Sequence, residues 1–152
     1  MIKHIKYMLI ILIWSIPTIG YSGECQIGII AGSPIGISGT YWMTDNRGLS
    51  AHMGIMDDRL ISLSHLWKFT EFHKSLQEYQ KFMDYYYIGA GGAVKNGKGD
   101  RVGFVVPLGL AKDVTIFKLP LSISIEISPM YRLSPSFGFN ADGGIRLEYR
   151  FN

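Results

Sequence analysis

Ser50 and His52 form the pairing in this 152-residue chain that could begin covalent chemistry. They stand two residues apart in Leu49–Met56, which alternates Leu49, Ala51, Met53 and Ile55 with Ser50, His52 and Gly54. In an extended chain residues i and i+2 share a face, so the imidazole would stand beside the hydroxyl. A serine nucleophile needs such a base and also a third group to orient the base. No acidic residue is evident on the next segment, Leu60–Phe69, so the pair predicts no catalytic residue. The other available chemistry is electrostatic. Glu126, Asp142, Arg146, Glu148 and Arg150 occupy the polar faces of two strongly alternating segments, with both signs mixed. Such charges either coat a solvated exterior or pair off inside a narrow barrel. Glu126 is placed to face Arg146 or Arg150 across a hairpin. Metal-ligand spacings, phosphate-cradling loops and nucleotide fingerprints are missing from the sequence, and no helix follows Gly89–Gly92, so neither a metal nor a cofactor is expected.

The elements that must position these residues are strands. From Phe137 to Asn152 the odd positions are apolar or small and the even positions carry Asp142, Arg146, Glu148 and Arg150. Period-two alternation marks a strand with two unlike faces. The same pattern recurs in about eight segments: Gln26–Gly32, Ile37–Met43, Leu49–Met56, Leu60–Phe69, Asp84–Val94, Arg101–Leu110, Leu121–Ser128 and Phe137–Asn152. Turn residues separate them, most clearly Asn96–Asp100. Pro107 within the sixth segment suggests a bulge. Thr70–Lys81, Lys112–Pro120 and Pro129–Ser136 read as connections, with room for a helix only within Thr70–Gln80. The fold expected is all-β: an eight-stranded antiparallel up-and-down transmembrane β-barrel preceded by a signal peptide.

The start of the chain reads differently. Lys3, His4 and Lys6 precede an apolar run, Met8–Pro17, and then Gly20 and Ser22. A basic stretch, an apolar stretch and small residues are the parts of a secretory signal. The run is too short for a span of ~20 residues. Residues 1–22 are therefore expected to be a cleaved signal peptide and 23–152 one barrel domain. Loss of Lys3 and Lys6 lowers a formal charge of only +3, and the remaining lysines and arginines do not cluster, so no nucleic-acid partner is expected. The single Cys25 has no internal disulfide partner, and Glu24 before it fits a lipid-attachment site poorly. His65 lies on an apolar face between Leu63 and Trp67, and His73 in a polar loop.

Alternation alone does not say whether the apolar faces meet water-excluding protein or lipid. Aromatics near strand ends (Tyr41, Trp42, Trp67, Phe69, Tyr85 to Tyr87, Tyr149, Phe151) suit an interfacial girdle. Tyr149 and Phe151 resemble the C-terminal sorting signal read by the barrel insertion machinery of bacterial outer membranes, although Asn152 follows them. The chain resembles a small OmpA-like eight-stranded outer-membrane β-barrel protein. Gly32–Trp42 and Asp100–Gly109 are, more narrowly, similar to a poorly characterised family of such barrels in Gram-negative bacteria and spirochaetes. The resemblance implies residence in the outer membrane among its lipids, and it brings no catalytic residues. Both chain ends, and with them Thr70–Lys81, would lie on the periplasmic side, where a partner could be met. Two alternatives stay open. One is a soluble periplasmic lipocalin-like barrel holding a small apolar ligand. The other is a lipid-modifying outer-membrane enzyme, which would need Ser50 or His52; some lipid A deacylases are eight-stranded barrels with a serine–histidine pair on a lipid-facing strand.

Overall fold

The computed structural model describes residues 23–33, 35–55, 59–72, 80–96, 101–134 and 136–151. The expected signal peptide, 1–22, and Asn152 lie outside the described residues, as does His73. Nine strands follow in chain order: β1 (Glu24–Ser33), β2 (Gly36–Thr44), β3 (Arg47–Gly54), β4 (Arg59–Phe69), β5 (Tyr85–Asn96), β6 (Arg101–Val105), β7 (Leu108–Ile116), β8 (Leu119–Ser134) and β9 (Gly138–Phe151). Every pairing is antiparallel, and sequence neighbours pair around a ring that closes through β1 and β9. β6 and β7 are two halves of one course, since both pair with β5 on one side and with β8 on the other. The result is an eight-stranded antiparallel barrel, the fold read from the sequence.

The break between β6 and β7 falls at Val106–Pro107, where the sequence suggests a bulge. Proline has no N–H to give to a ladder. The course nevertheless continues, because Gly89 N–H donates to the Pro107 carbonyl (2.8 Å) and Val106 N–H to the Pro129 carbonyl (2.9 Å). Two expected connections are mostly strand. Of Lys112–Pro120, all but Phe117 and Lys118 belongs to β7 or β8, and these two turn the chain with φ of 51° and 65°. Asn-Gly is the usual sequence for such a turn, so Phe-Lys gave no signal. Of Pro129–Ser136, the part up to Ser134 is β8, with Pro129 in register with Ala141. The room for a helix in Thr70–Gln80 falls largely on 73–79, outside the described residues; Gln80 and Lys81 form a short 3₁₀ turn.

Strand direction puts Gly23, Phe151, the Asp45–Asn46 turn, the Phe117–Lys118 turn and the connection from β4 to β5 at one end, here called lower. The upper end carries the other four connections, from β1 to β2, β3 to β4, β5 to β6 and β8 to β9.

Burial is inverted relative to a water-soluble protein. On β8, Glu126 is 2% exposed and its neighbour Ile127 57%. Ser38, Thr40, Ser50, Ser62, Ser64, Ser122 and Ser124 are buried, while Ile27, Ile29, Met53, Ile61, Phe104, Leu110 and Ile145 face outward. Eight strands enclose a lumen just wide enough for side chains to fill. Two apolar clusters help to fill it: Trp42, Leu66, Tyr85, Tyr87 and Ala111, and separately Leu60, Ala93, Val105 and Met130. Trp42, Tyr85 and Tyr87 were expected in an outward girdle and instead point inward. Their parity along β2 and β5 matches the buried serines and Ala93. Tyr41, Trp67, Phe69, Tyr86, Tyr149 and Phe151 remain on the outer surface.

Candidate functional site: the charged lumen

Arg146 on β9 is the hub. Its Nη1 donates to Glu126 Oε2 on β8 at 2.6 Å, and its Nη2 to Glu148 Oε2 at 2.7 Å. Nη2 also reaches Thr40 Oγ1 on β2, and Nη1 lies 3.3 Å from the Tyr87 hydroxyl on β5. Tyr87 donates to Glu126 Oε2 at 2.6 Å, and Ser128 to Glu126 Oε1 at 2.8 Å. One buried guanidinium thus ties together strands from around the ring. Arg146 and Glu126 stand two residues out of register, because Arg146 pairs with Ser124 and Glu126 with Gly144. Their long side chains lean along the lumen to meet.

Tyr87 is held for this task by what faces it. It pairs with Gly109 on β7, and a Cβ at Gly109 would collide with the Tyr87 ring. Glycine there lets the ring lie flat across the neighbouring strand and send its hydroxyl into the charge cluster.

Of the other charges in the expected interior set, Arg150 and Asp142 stand apart from Arg146. Arg150 grips Glu24 of β1 with two bonds, Nε to Oε1 at 2.9 Å and Nη2 to Oε2 at 2.7 Å. Its Nη1 lies 3.1 Å from Asp113 Oδ2. Asp142 is toward the upper end, 3.9 Å from Lys95 Nζ and within 3.4 Å of Ser33 Oγ. Thr40, Tyr87, Glu24 and Asp113 were missed as partners. Glu24 and Asp113 lay outside the segments read as strands. Tyr87 fits a girdle by its place near a strand end, but its parity on β5 is that of the buried face. Tyr149 and Phe151 lie on the outward face of β9 with rings 4.7 Å apart. Cys25 sits inside β1, opposite Tyr41 and Phe151.

The Ser50–His52 pair needs a correction. Ser50 Oγ is 3.1 Å from His52 Nε2, and an acidic third group is present after all. It is Glu126, whose Oε1 lies 3.6 Å from His52 Nδ1. It comes from β8, on the far side of the lumen, rather than from the adjacent strand, so no single segment shows it. That distance is longer than a hydrogen bond. Glu126 is also committed to Arg146, Tyr87 and Ser128. The cavity beside Ser50, His52 and Glu126 has a volume of about 20 Å³, roughly that of a single water site. A serine–histidine–carboxylate sequence of contacts therefore exists, without room for a substrate. Among the described residues no group of histidine, cysteine, aspartate and glutamate side chains could hold a metal ion.

No protein-family model matches the chain, and no curated protein matches it either. The narrower family resemblance over Gly32–Trp42 and Asp100–Gly109 therefore has no model behind it. Among solved structures, the crystal structure of the N-terminal β-barrel domain of Pseudomonas aeruginosa OprF matches with a TM-score of 0.53. The two are 17% identical, over 85% of this chain and 96% of that one. At that identity the likeness speaks for the fold, and it agrees with the small OmpA-like barrel expected from the sequence.

Proposed function

We propose that this chain is an integral outer-membrane β-barrel protein with a structural or surface-interaction role, without an open pore and without catalytic turnover. The observation that carries the reading is the inverted burial. In water, the outward isoleucines, leucines and phenylalanines would forfeit about 25 cal/mol for each Å² of apolar surface left exposed. The ion cluster of Glu126, Arg146 and Glu148 would meanwhile sit in the interior. Set in lipid, the same surface is at home, and the closed ring leaves no strand edge to satisfy. The outward aromatics of the lower end suit an interfacial belt.

A lipocalin-like barrel would turn this pattern round, with an apolar lumen for its ligand. The charged and serine-rich lumen speaks against it. A lipid-modifying enzyme would need Ser50 to be reached by substrate, and the tight lumen speaks against that. Interior side chains paired across strands favour a plugged barrel over a channel. Export behind residues 1–22 and recognition of Tyr149 and Phe151 by the barrel insertion machinery belong to the same proposal, as does a periplasmic partner for the connection between β4 and β5.

The test is fractionation of the expressed protein, with boiled and unboiled samples compared on SDS gels. Recovery in outer membranes with a heat-dependent shift in mobility is expected, together with no steady conductance in a planar bilayer. A soluble periplasmic protein with no shift overturns the membrane reading. A stable conductance overturns only the closed lumen.

A further inference from the structure

The outer surface has a depression beside Gly39 and Ala51. Four outward residues lie side by side across four strands: Ile27 on β1, Gly39 on β2, Ala51 on β3 and Leu63 on β4. The two small residues in the middle leave a groove of about 240 Å³, walled also by Cys25, Tyr41 and Leu49. A Cβ built at Gly39 meets only the Gln26 carbonyl oxygen, at 3.7 Å, so the space there is open. The Tyr41 side chain leaves it uncovered by leaning over Gly23 at the lower end.

The lower rim of this face carries a cation, Arg47. His65 lies opposite Leu49, with its ring 4.7 Å from that of Trp67, and Arg47 lies opposite Trp67. Arg47 is exposed. Its backbone N–H donates to Thr44 Oγ1, but among the described residues its guanidinium meets no carboxylate. Arginine offers a planar fork that matches phosphate. An apolar trough running toward an unpaired arginine at the level of outward aromatics has the polarity of a phospholipid.

We propose that the Gly39–Ala51 groove seats one acyl chain of an anionic phospholipid, whose phosphate is held by Arg47 beside His65. This rests on the membrane reading above, which also puts the lower end in the phospholipid-bearing periplasmic leaflet. The site combines small residues on adjacent strands with an arginine that, among the described residues, meets no carboxylate, all on one outward face of the first four strands.

The experiment reconstitutes the full chain, carrying Trp14→Phe so that no third indole responds, in vesicles and quenches Trp67 with brominated phosphatidylglycerol or brominated phosphatidylcholine. Trp67 reports on the rim, while Trp42 is 3% exposed and points into the lumen. Phosphatidylglycerol is expected to quench at about five-fold lower mole fraction, the effect of one basic residue near a membrane surface. Arg47→Gln should abolish that preference, and Gly39→Leu, which fills the open space, should weaken it. An equal response to both lipids overturns the proposal, as does a preference that survives Arg47→Gln. A Gly39→Leu variant that turns a dimer into a monomer and leaves quenching unchanged assigns the groove to a second copy instead. The heat-dependent mobility shift, read on each sample, separates these results from a failure of the membrane reading, since a chain that does not insert shows no shift.

Discussion

Two arginines of β9 do the same thing in different surroundings. Arg146 lies between Glu126 and Glu148, and Arg150 between Glu24 and Asp113. Each is one cation for two carboxylates. The side chains of the first set are 3% exposed or less, whereas those of the second are 24–28% exposed. Formal charge is matched; Arg146 differs in its added bonds to Thr40 and Tyr87 and, above all, in its burial. A buried ion left alone has no water to fall back on, while a half-exposed one does.

The comparison breaks most visibly if Arg146 is removed. Arg146→Met leaves two carboxylates stranded and should cost about 3–5 kcal/mol, measured by urea unfolding in detergent micelles followed by the heat-dependent gel shift. A loss under about 1 kcal/mol would mean that water reaches the cluster and that the contrast with Arg150 is empty. Adding Glu126→Gln and Glu148→Gln to Arg146→Met removes the stranded charge and should restore more than half of the lost stability, because the penalty belongs to unpaired ions rather than to missing attraction. Tyr87→Phe deletes a hydrogen bond to a charged acceptor and should cost about 1.5–3 kcal/mol in the same assay. Arg150→Met should cost only about 0–1 kcal/mol. What little it costs should shrink further in molar salt, whereas the Arg146→Met penalty should hardly respond. Equal salt sensitivity at the two sites would erase the distinction.

Much of the barrel was legible because alternation is local. Any window of a strand shows which residues share a face, so Leu121–Ser128 and Phe137–Asn152 showed their polar sides plainly. Whether Glu126 meets Arg146 or Arg150 was a different kind of question. It depends on the stagger between strands and on how far long side chains lean, and neither is written in a single segment. The same limit hid Glu126 from His52, since three strands, β2, β1 and β9, stand between β3 and β8 by the route through β1. Local rules also misled where they were broken. Phe117 and Lys118 take a conformation that suits Asn-Gly, so a tight hairpin was read as a long connection. Trp42, Tyr85 and Tyr87 were aromatic and near strand ends, which outweighed the parity that put them inside.

The seam between β1 and β9 has a consequence for how such a chain is made. The seam runs from Ser33 opposite Gly143 to Cys25 opposite Phe151, so the ring cannot begin to close until β9, the last strand, is being synthesised. A product that stops before β9 carries two open edges of unpaired N–H and C=O groups, together with an outer surface that water does not favour. Contacts so far apart along the chain also form slowly. The interval between leaving the ribosome and joining Glu24 to Arg150 is when aggregation competes best. Under the proposed membrane reading, escort until β9 is available is thus a demand of the topology itself, and a premature stop codon just before β9 would be as damaging as one much earlier.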